Sequence, residues 1–329
     1  MALMRTALMH FTVAVAALLS LAACGDSSNH PGNPDPGVTP SALCVASACG
    51  SKTVLLTIPD AENLLFTPAG RLFVSGGVNV YEVRQSAGRY TATPLLDGSC
   101  NFTGLALRGN VLYANCFDGQ LYAAELTAMP QLQPIHDLGL ASPNGLATGP
   151  EGELYVVNGP LATTALPDPK IVRLRFDAND PFAVTEQTDW LPLGLLQSQP
   201  NGVQVQGRTL YFSESAAPVF GRIQTVTINA DGSPGTPQVF ASFNSLPDDF
   251  SLAGEQLLAA EFSSGRISLF GADGGLISQT DANSFSFPSQ LRLGQPPLFA
   301  TTDVLVTEKG ILGDNDSAVG NVLSVFRRN

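Results

Sequence analysis

The chain has little charge and, above all, little positive charge. Of its 329 residues 13% are charged, and 16 Lys and Arg stand against 28 Asp and Glu, which gives a net charge of −12. A nucleic-acid-binding protein needs a basic face, so this composition argues against that class of function. Because hydrophobic residues make up 44% of the chain, it is also too apolar for a disordered protein and long enough to bury a substantial core.

The motifs of several enzyme classes are missing as well. The sequence contains no Gly-x-Ser-x-Gly elbow, no phosphate-binding loop, no dinucleotide-binding glycine fingerprint and no His-Glu-x-x-His. Of three histidines, only His136 falls in the expected folded domain, where it lies in a predicted outer strand. A Ser-His-Asp triad is therefore not expected. Beyond the N-terminal segment no sustained helical period occurs.

The longest hydrophobic run lies at the N-terminus. The first 23 residues carry Arg5 and then FTVAVAALLSLAAC, a run too short and wrongly flanked for a membrane span but typical of an export signal. Leu21-Ala22-Ala23-Cys24 resembles a bacterial lipobox, which implies cleavage before Cys24 and lipid attachment to it. Gly25 follows, not Asp, so the expected location is the cell envelope, where the lipid-anchored protein lies at the outer membrane or faces the periplasm. A plain secretory signal is the alternative.

We expect three segments: a lipoprotein signal peptide (1–23), the lipidated cysteine with a flexible linker (24–50) and the folded domain (51–329). The linker prediction rests on the Ser, Asn, Pro and Gly content of 25–41. With Cys24 lipidated, four cysteines remain, and an even number in an exported protein predicts disulfides. We expect sequence neighbours to pair, Cys44 with Cys49 and Cys100 with Cys116. Their spacings match no zinc site.

One unit occurs six times in the mature chain. The clearest copies, PNGLATGPEGELYVVN and PNGVQVQGRTLYFSES, begin at Pro143 and Pro200. Each start leads into short β-type runs separated by Gly, Pro and Asp, mostly at the 40–50-residue spacing typical of propeller blades. The sixth unit lacks a fourth strand, whereas a spare strand, KTVLLTI, precedes the first. The sequence therefore predicts an all-β, six-bladed β-propeller closed by its N-terminal strand; a β-solenoid leaves that strand unexplained.

The six units place one oxygen-bearing residue each at the same register. The first strand of a propeller blade lines the central channel, so these residues should form a ring at one mouth. They are Glu62, Thr103, Asn144, Asn201, Asp248 and Ser289. Hard oxygen ligands with two carboxylates suit Ca²⁺, and Mg²⁺ or Mn²⁺ less well. For the two asparagines another interpretation stays open, because Pro-Asn-Gly is also ordinary turn chemistry.

The blade starts AENLLFTPAGRLFVS, PNGLATGPEGELYVVN, PNGVQVQGRTLYFSES and PDDFSLAGEQLLAAEFSSGRI resemble the SMP-30/gluconolactonase-like group of six-bladed propellers. NHL-type and strictosidine-synthase-like propellers have similar blade starts. The resemblance spans most of residues 60–270. It implies a divalent metal held by Glu62, Asn201 and Asp248, with Asn144 as a substrate contact. It further implies lactone or ester hydrolysis in which Asp248 activates water.

Two positions depart from that family's pattern. Family enzymes tend to carry an Arg just ahead of the third-blade Asn, where this chain has GLASP before Asn144, and a Gly where it has Asp249. A less polar lactone or ester is then as good a candidate as a sugar lactone. The alternative function is a non-catalytic propeller whose rim loops bind an envelope protein or a glycan; we expect a monomer in either case. An enzyme predicts an open, carboxylate-lined channel, and a binding module predicts a plugged channel and an apolar rim patch.

Overall fold

The computed structural model describes residues 43–329 except 99, 160–167, 195–198, 217–219, 312–313 and 315. The signal peptide predicted for 1–23, the lipidation site Cys24 and the linker as far as residue 42 lie outside the described residues. Within the described part, no helix is long and apolar enough to cross a membrane. The helices found there are two single-turn 3-10 helices, Ser47–Cys49 and Phe262–Ser264.

The strands form six four-stranded antiparallel sheets, the blades of a propeller, which confirms the predicted fold class. Blade 1 contains β2 (Ala61–Phe66), β3 (Leu72–Gly76), β4 (Asn79–Ser86) and β5 (Arg89–Pro94). Blade 2 contains β6 (Phe102–Arg108), β7 (Val111–Cys116), β8 (Gln120–Glu125) and β9 (Gln133–Asp137). Blade 3 contains β10 (Pro143–Thr148), β11 (Leu154–Asn158), β12 (Lys170–Phe176) and β13 (Val184–Pro192).

The other three blades repeat this order from the channel outward, and the last is completed by the first strand of the chain. Blade 4 contains β14 (Gln199–Gln206), β15 (Thr209–Ala216), β16 (Phe220–Thr227) and β17 (Gln238–Phe243). Blade 5 contains β18 (Pro247–Ala253), β19 (Gln256–Glu261), β20 (Arg266–Phe270) and β21 (Leu276–Gln279). Blade 6 contains β22 (Pro288–Leu293), β23 (Val304–Glu308), β24 (Val322–Arg328) and β1 (Gly50–Thr57).

The ring closes through β1, as the spare N-terminal strand predicts. β1 pairs antiparallel with β24, from Gly50 opposite Arg328 to Thr57 opposite Val322. Ahead of β1, Leu43 and Val45 pack into the core between blades 5 and 6. Both predicted disulfides, Cys44–Cys49 and Cys100–Cys116, are present. The first disulfide lies directly before the closing strand.

The hydrophobic core is divided into six clusters among the described residues, one at each junction between neighbouring blades. The two inner strands of a blade face a neighbour on both sides and are almost wholly buried, as in β2 and β3. The outermost strands, such as β5 and β9, are largely exposed and contain no buried residue. This gradient follows from radial packing, because only the outer rim of a blade reaches water on both faces.

Each innermost strand begins with the same irregularity. In blade 3, Pro143 pairs with Asn158 and pairing resumes only at Leu146 opposite Val156. The same two-residue interruption occurs at the start of all six inner strands. A β-bulge bends the strand and redirects side chains, and bulges are common beside functional sites. Here the bulge places two successive residues of every blade toward the channel.

Candidate functional site

The first bulge residues of the six blades are the six residues that the sequence repeat predicts to form a ring. They are Glu62, Thr103, Asn144, Asn201, Asp248 and Ser289. All are buried except Asn201, which is partly exposed. They therefore occupy equivalent places at one mouth of the channel. We call this set the mouth ring.

Second strands fix the backbone of the mouth ring. The hydroxyls of Ser75, Ser213 and Thr307 each donate a hydrogen bond to a carbonyl of the next blade, at Thr103, Asp248 and Glu62 respectively. In blade 2 the amide of Asn115 does the same, donating to the carbonyl of Asn144 at 2.8 Å. Buried carbonyls are normally paired in this way, and here the pairing sets the position of each channel-facing residue.

Three oxygens of the mouth ring have no hydrogen-bond partner although they are buried. They are Oδ1 of Asn144, Oδ1 of Asn201 and Oδ1 of Asp248, which belong to the consecutive blades 3, 4 and 5. Leaving one buried acceptor unpaired costs about 1–3 kcal/mol, so three together are unusual in a folded protein. Cations, and donors on a bound molecule, are the partners that such acceptors take.

Asp248 is held in place through its second carboxylate oxygen, Oδ2. Ser289 Oγ donates to Asp248 Oδ2 at 2.9 Å, which leaves Oδ1 unpaired. Burial raises the pKa of Asp248 well above its usual value, and the nearby charge of Glu62 adds to this effect. Ionisation of the Asp248 carboxyl is therefore unfavourable unless a cation lies beside it.

Lys309 is the residue that sequence reasoning missed. It follows directly after β23, is 8% exposed, and its Nζ donates to Glu62 Oε2 and forms an ion pair with Asp60 Oδ1 at 3.1 Å. Burial raises the pKa of Glu62, and Lys309 opposes that rise. Burial alone would lower the pKa of Lys309, but Glu62 and Asp60 raise it above its ordinary value. The signal was a lone lysine next to the strand end Glu308, among acidic neighbours.

The second bulge residues form a layer beneath the mouth ring. Gln290 Nε2 donates to Asn63 Oδ1 at 2.7 Å and to Asp249 Oδ2 at 2.6 Å, which links blades 1, 6 and 5. Asp249 also accepts from the backbone of Phe250 at 2.7 Å. Burial raises the pKa of Asp249 to about 6. In blade 4 this layer holds Gly202, where a Cβ would overlap the Asp249 carboxylate.

Deeper in the channel, Arg292 Nη2 donates to Gln204 Oε1 at 2.9 Å, and both side chains are buried. Side chains thus cross the channel below a carboxylate-lined mouth. On the rim beside blade 6, Phe287, Ile311 and Val319 are exposed. The structure therefore combines the mouth expected of an enzyme with the crossed channel and apolar rim expected of a binding module.

Three other side chains at the ends of second strands, those of Asn158, Glu261 and Glu308, already accept hydrogen bonds. Asn158 accepts from the backbone of Ser142, and Glu308 accepts from Lys52 Nζ at 3.1 Å and the backbone of Ser286. Glu261 accepts from the hydroxyl of Ser245 at 2.6 Å. These side chains stabilise the rim loops, whereas Asn115 contacts the mouth ring directly.

No family profile matches the chain, and no curated protein matches it in sequence. Solved structures do. A gluconolactonase from Xanthomonas campestris superposes with a TM-score of 0.64 at 20% identity, covering 86% of this chain and 92% of that one. A calcium-binding protein, regucalcin, from Agrobacterium tumefaciens gives 0.64 at 18%, covering 87% and 95%. A luciferin-regenerating enzyme gives 0.62 at 15%, covering 84% and 95%.

At these sequence identities the structural similarity shows only that the fold is shared. The chemistry of the site depends on the residues of this chain. Asn144, Asn201 and Asp248 offer three unpaired oxygens, and Glu62 adds a carboxylate of which Oε2 already accepts from Lys309. Neutral amide oxygens and carboxylates are the ligands of hard cations such as Ca²⁺. The described mouth ring fits a divalent cation on these grounds.

Proposed function

We propose that the protein is a lactone or ester hydrolase that depends on a divalent cation. The observation that supports this most directly is the set of three buried, unpaired oxygens on blades 3 to 5. The structural neighbours with gluconolactonase and calcium-binding names support it at the level of the fold group. Ca²⁺ is the ion we favour, with Mg²⁺ and Mn²⁺ as alternatives.

In this proposal Glu62, Asn201 and Asp248 hold the ion. When bound, the ion would polarise a carbonyl oxygen and make a nearby water more acidic. Removing the charge of either carboxylate should therefore abolish measurable binding, because a single carboxylate with neutral amide oxygens is a weak site for a divalent cation.

Asp248 would act as the general base that takes a proton from water. Ser289 fixes its Oδ2 at 2.9 Å, so its Oδ1 has a defined direction. Burial raises the pKa of Asp248 well above its usual value, and a higher pKa makes the ionised carboxylate a stronger base. Asn144 lies on the neighbouring side of the ring with an unpaired oxygen and would orient a substrate hydroxyl or N–H.

The test is calorimetric titration of Ca²⁺ into the chain from residue 24 onward, with Cys24→Ser to prevent lipidation. We expect one site, lost in both Glu62→Gln and Asp248→Asn. Glu125→Gln, which removes an exposed carboxylate at the end of β8, is the matched control and should bind as the unmodified protein does. One-site binding would justify a screen of lactones and esters with Ca²⁺, Mn²⁺ and Mg²⁺. A folded protein without binding would refute the metal-dependent hydrolase.

We further propose that the protein is exported and anchored to the envelope through lipid on Cys24. Metabolic labelling with palmitate tests the lipid attachment. The label should disappear in Cys24→Ser, and the labelled protein should fractionate with the outer membrane. Label retained in that variant would contradict the anchor. We propose a monomer, which light scattering on the unlipidated protein tests.

The alternative, a propeller that binds an envelope protein or glycan, is favoured by the exposed Phe287, Ile311 and Val319 at the rim. This alternative predicts that the protein does not bind Ca²⁺. It also predicts that the protein crosslinks to one partner in envelope fractions and that Phe287→Ser abolishes this crosslink. Crosslinking that persists in this variant would argue against the rim as the binding surface.

A further inference from the structure

The mouth of the channel already contains a cation that belongs to the chain. Lys309 is buried, and its ammonium contacts one oxygen of Glu62 and one of Asp60. Its positive charge also acts on Asp248. Glu62 is one of the carboxylates assigned above to a divalent ion. The lysine and the ion would therefore share a ligand.

The position of Lys309 is fixed by three segments of backbone. Its own N–H donates to the carbonyl of Phe287 at 3.0 Å. Immediately after it, Gly310 has a φ of +80° and lies against Gly320, where a Cβ would overlap Gly310 Cα. Only residues without a side chain permit this approach of the two loop ends. Lys309 consequently leaves the strand in a direction that the glycine pair determines.

Asp60, one of the two acidic partners of Lys309, is also held in place by its backbone. Asp60 has a φ of +49°, and its N–H donates to Asn321 Oδ1 at 2.6 Å. Asn321 lies at the far end of the same β23–β24 connection, and its carbonyl also accepts from Ile58. One connection of blade 6 thus positions both Lys309 and Asp60 against Glu62.

We propose that Lys309 is a built-in counter-cation that limits the affinity of the mouth ring for a divalent metal. It engages one oxygen of Glu62 and repels an ion that approaches the same carboxylate. The oxygen of Glu62 that Lys309 does not contact remains for the ion, beside Asn201 and Asp248, whose Oδ1 atoms have no partner in the protein. This inference rests on the metal site of the proposed function and assigns to Lys309 the role of setting its affinity.

The decisive measurement is calorimetric titration of Ca²⁺, and separately Mn²⁺, into Lys309→Met. Removing the ammonium should lower the dissociation constant by roughly tenfold or more. Lys309→Arg, which keeps the charge, should retain the affinity of the unmodified protein. A lysine that only maintained the fold would give the opposite result, because damage to the ring weakens binding.

Lys52→Met is the matched control. It also removes one positive charge from blade 6, but Lys52 pairs with Glu308 in the rim and not with the mouth ring. Its dissociation constant should stay unchanged. If Lys309→Met unfolds because Asp60 is left buried without a partner, the double variant Asp60→Asn/Lys309→Met removes that charge and should show the same tightening.

The outcomes separate this inference from the proposed function. Binding that appears only in Lys309→Met supports the counter-cation and refutes metal-dependent hydrolysis by the unmodified protein. Binding and lactone turnover in the unmodified protein, with unchanged or weaker binding in a folded Lys309→Met, supports the hydrolase and overturns the counter-cation. Failure of both the single and the double variant to fold also overturns it, because Lys309 would then be a structural residue.

Discussion

At the scale of the residue, environment and not residue type separates the two neighbouring acids of blade 5. Asp248 faces the mouth and leaves one oxygen unpaired. Asp249 is turned into the layer below, where both of its oxygens accept hydrogen bonds, from Phe250 and Gln290. The resembled family has Gly at the position of Asp249. The structure shows that it packs beside Gly202 and links blade 5 to blade 6.

The pKa of Asp249 leads to a prediction about pH. An unfolded Asp ionises near its ordinary value of 3.8, whereas burial raises the folded value to about 6. Between these values the folded state binds the extra proton. The free energy of unfolding should therefore fall as the pH rises from about 4 to 6, by on the order of 3 kcal/mol from this group.

Urea unfolding at several pH values, in the presence of a chelator, measures this slope. Asp249→Asn is the comparison, and its stability should fall less steeply over the same range, whatever its absolute value. Glu62 and Asp248 titrate in both proteins, so the difference between the two curves reports Asp249 together with its electrostatic effect on those two carboxyls. Parallel curves would show that Asp249 is ionised at the same pH in both states.

At the scale of the element, the repeated bulge and the second-strand hydroxyl work as a unit. Thr307 Oγ1 accepts from the N–H of Gln290 at 2.8 Å and donates to the carbonyl of Glu62 at 2.6 Å. Ser75 and Ser213 have the same arrangement in blades 1 and 4. One side chain thus satisfies the bulge of its own blade and fixes the ring residue of the next.

Thr307→Val tests this arrangement, because it keeps the shape and removes the hydroxyl. Two buried backbone groups lose their partner, so the free energy of unfolding should fall by roughly 1–3 kcal/mol. Divalent-ion affinity should fall too, since the backbone of Glu62 loses its support. Thr93→Val, at an exposed position of β5, is the control and should change neither quantity. Blade 3 carries Val157 at the equivalent position, so an unchanged stability would mean that blade 6 tolerates the loss of the hydroxyl.

The repeat made the strands and the mouth ring predictable, and it could not predict what differs between blades. Asn144 and Asn201 share a Pro-Asn-Gly start, which aligns the register of every inner strand. Lys309 has no counterpart in the other units, and its contact with Glu62 joins residues 247 positions apart in sequence. The Gln290–Asp249 bond likewise depends on ring closure, which sequence periodicity implies without specifying side-chain partners.

At the scale of the whole molecule, stability depends on the closure of the ring. Every blade buries its faces against two neighbours, so an open ring would expose two apolar surfaces. β1 completes blade 6, and Leu43 and Val45 bury side chains between blades 5 and 6. Leu55 and Leu56 pack against the cluster between blades 6 and 1. The N-terminal segment therefore contributes to two of the six junctions.

Deleting residues 43–57 should consequently prevent stable folding. Full burial of each aliphatic side chain contributes about 1.5–3 kcal/mol, and a typical domain has a net stability of only about 5–15 kcal/mol.

Trp190, the only tryptophan, is buried in blade 3, so its fluorescence reports folding at a blade far from the deleted segment. We expect its fluorescence to show an unfolded chain in the protein beginning at residue 58 and a native one in the protein beginning at residue 43. A peptide of residues 43–57 added to the shorter protein should restore the native signal. A native, cooperative urea transition without the peptide would mean that blades 1 to 5 and three strands of blade 6 hold the ring without closure.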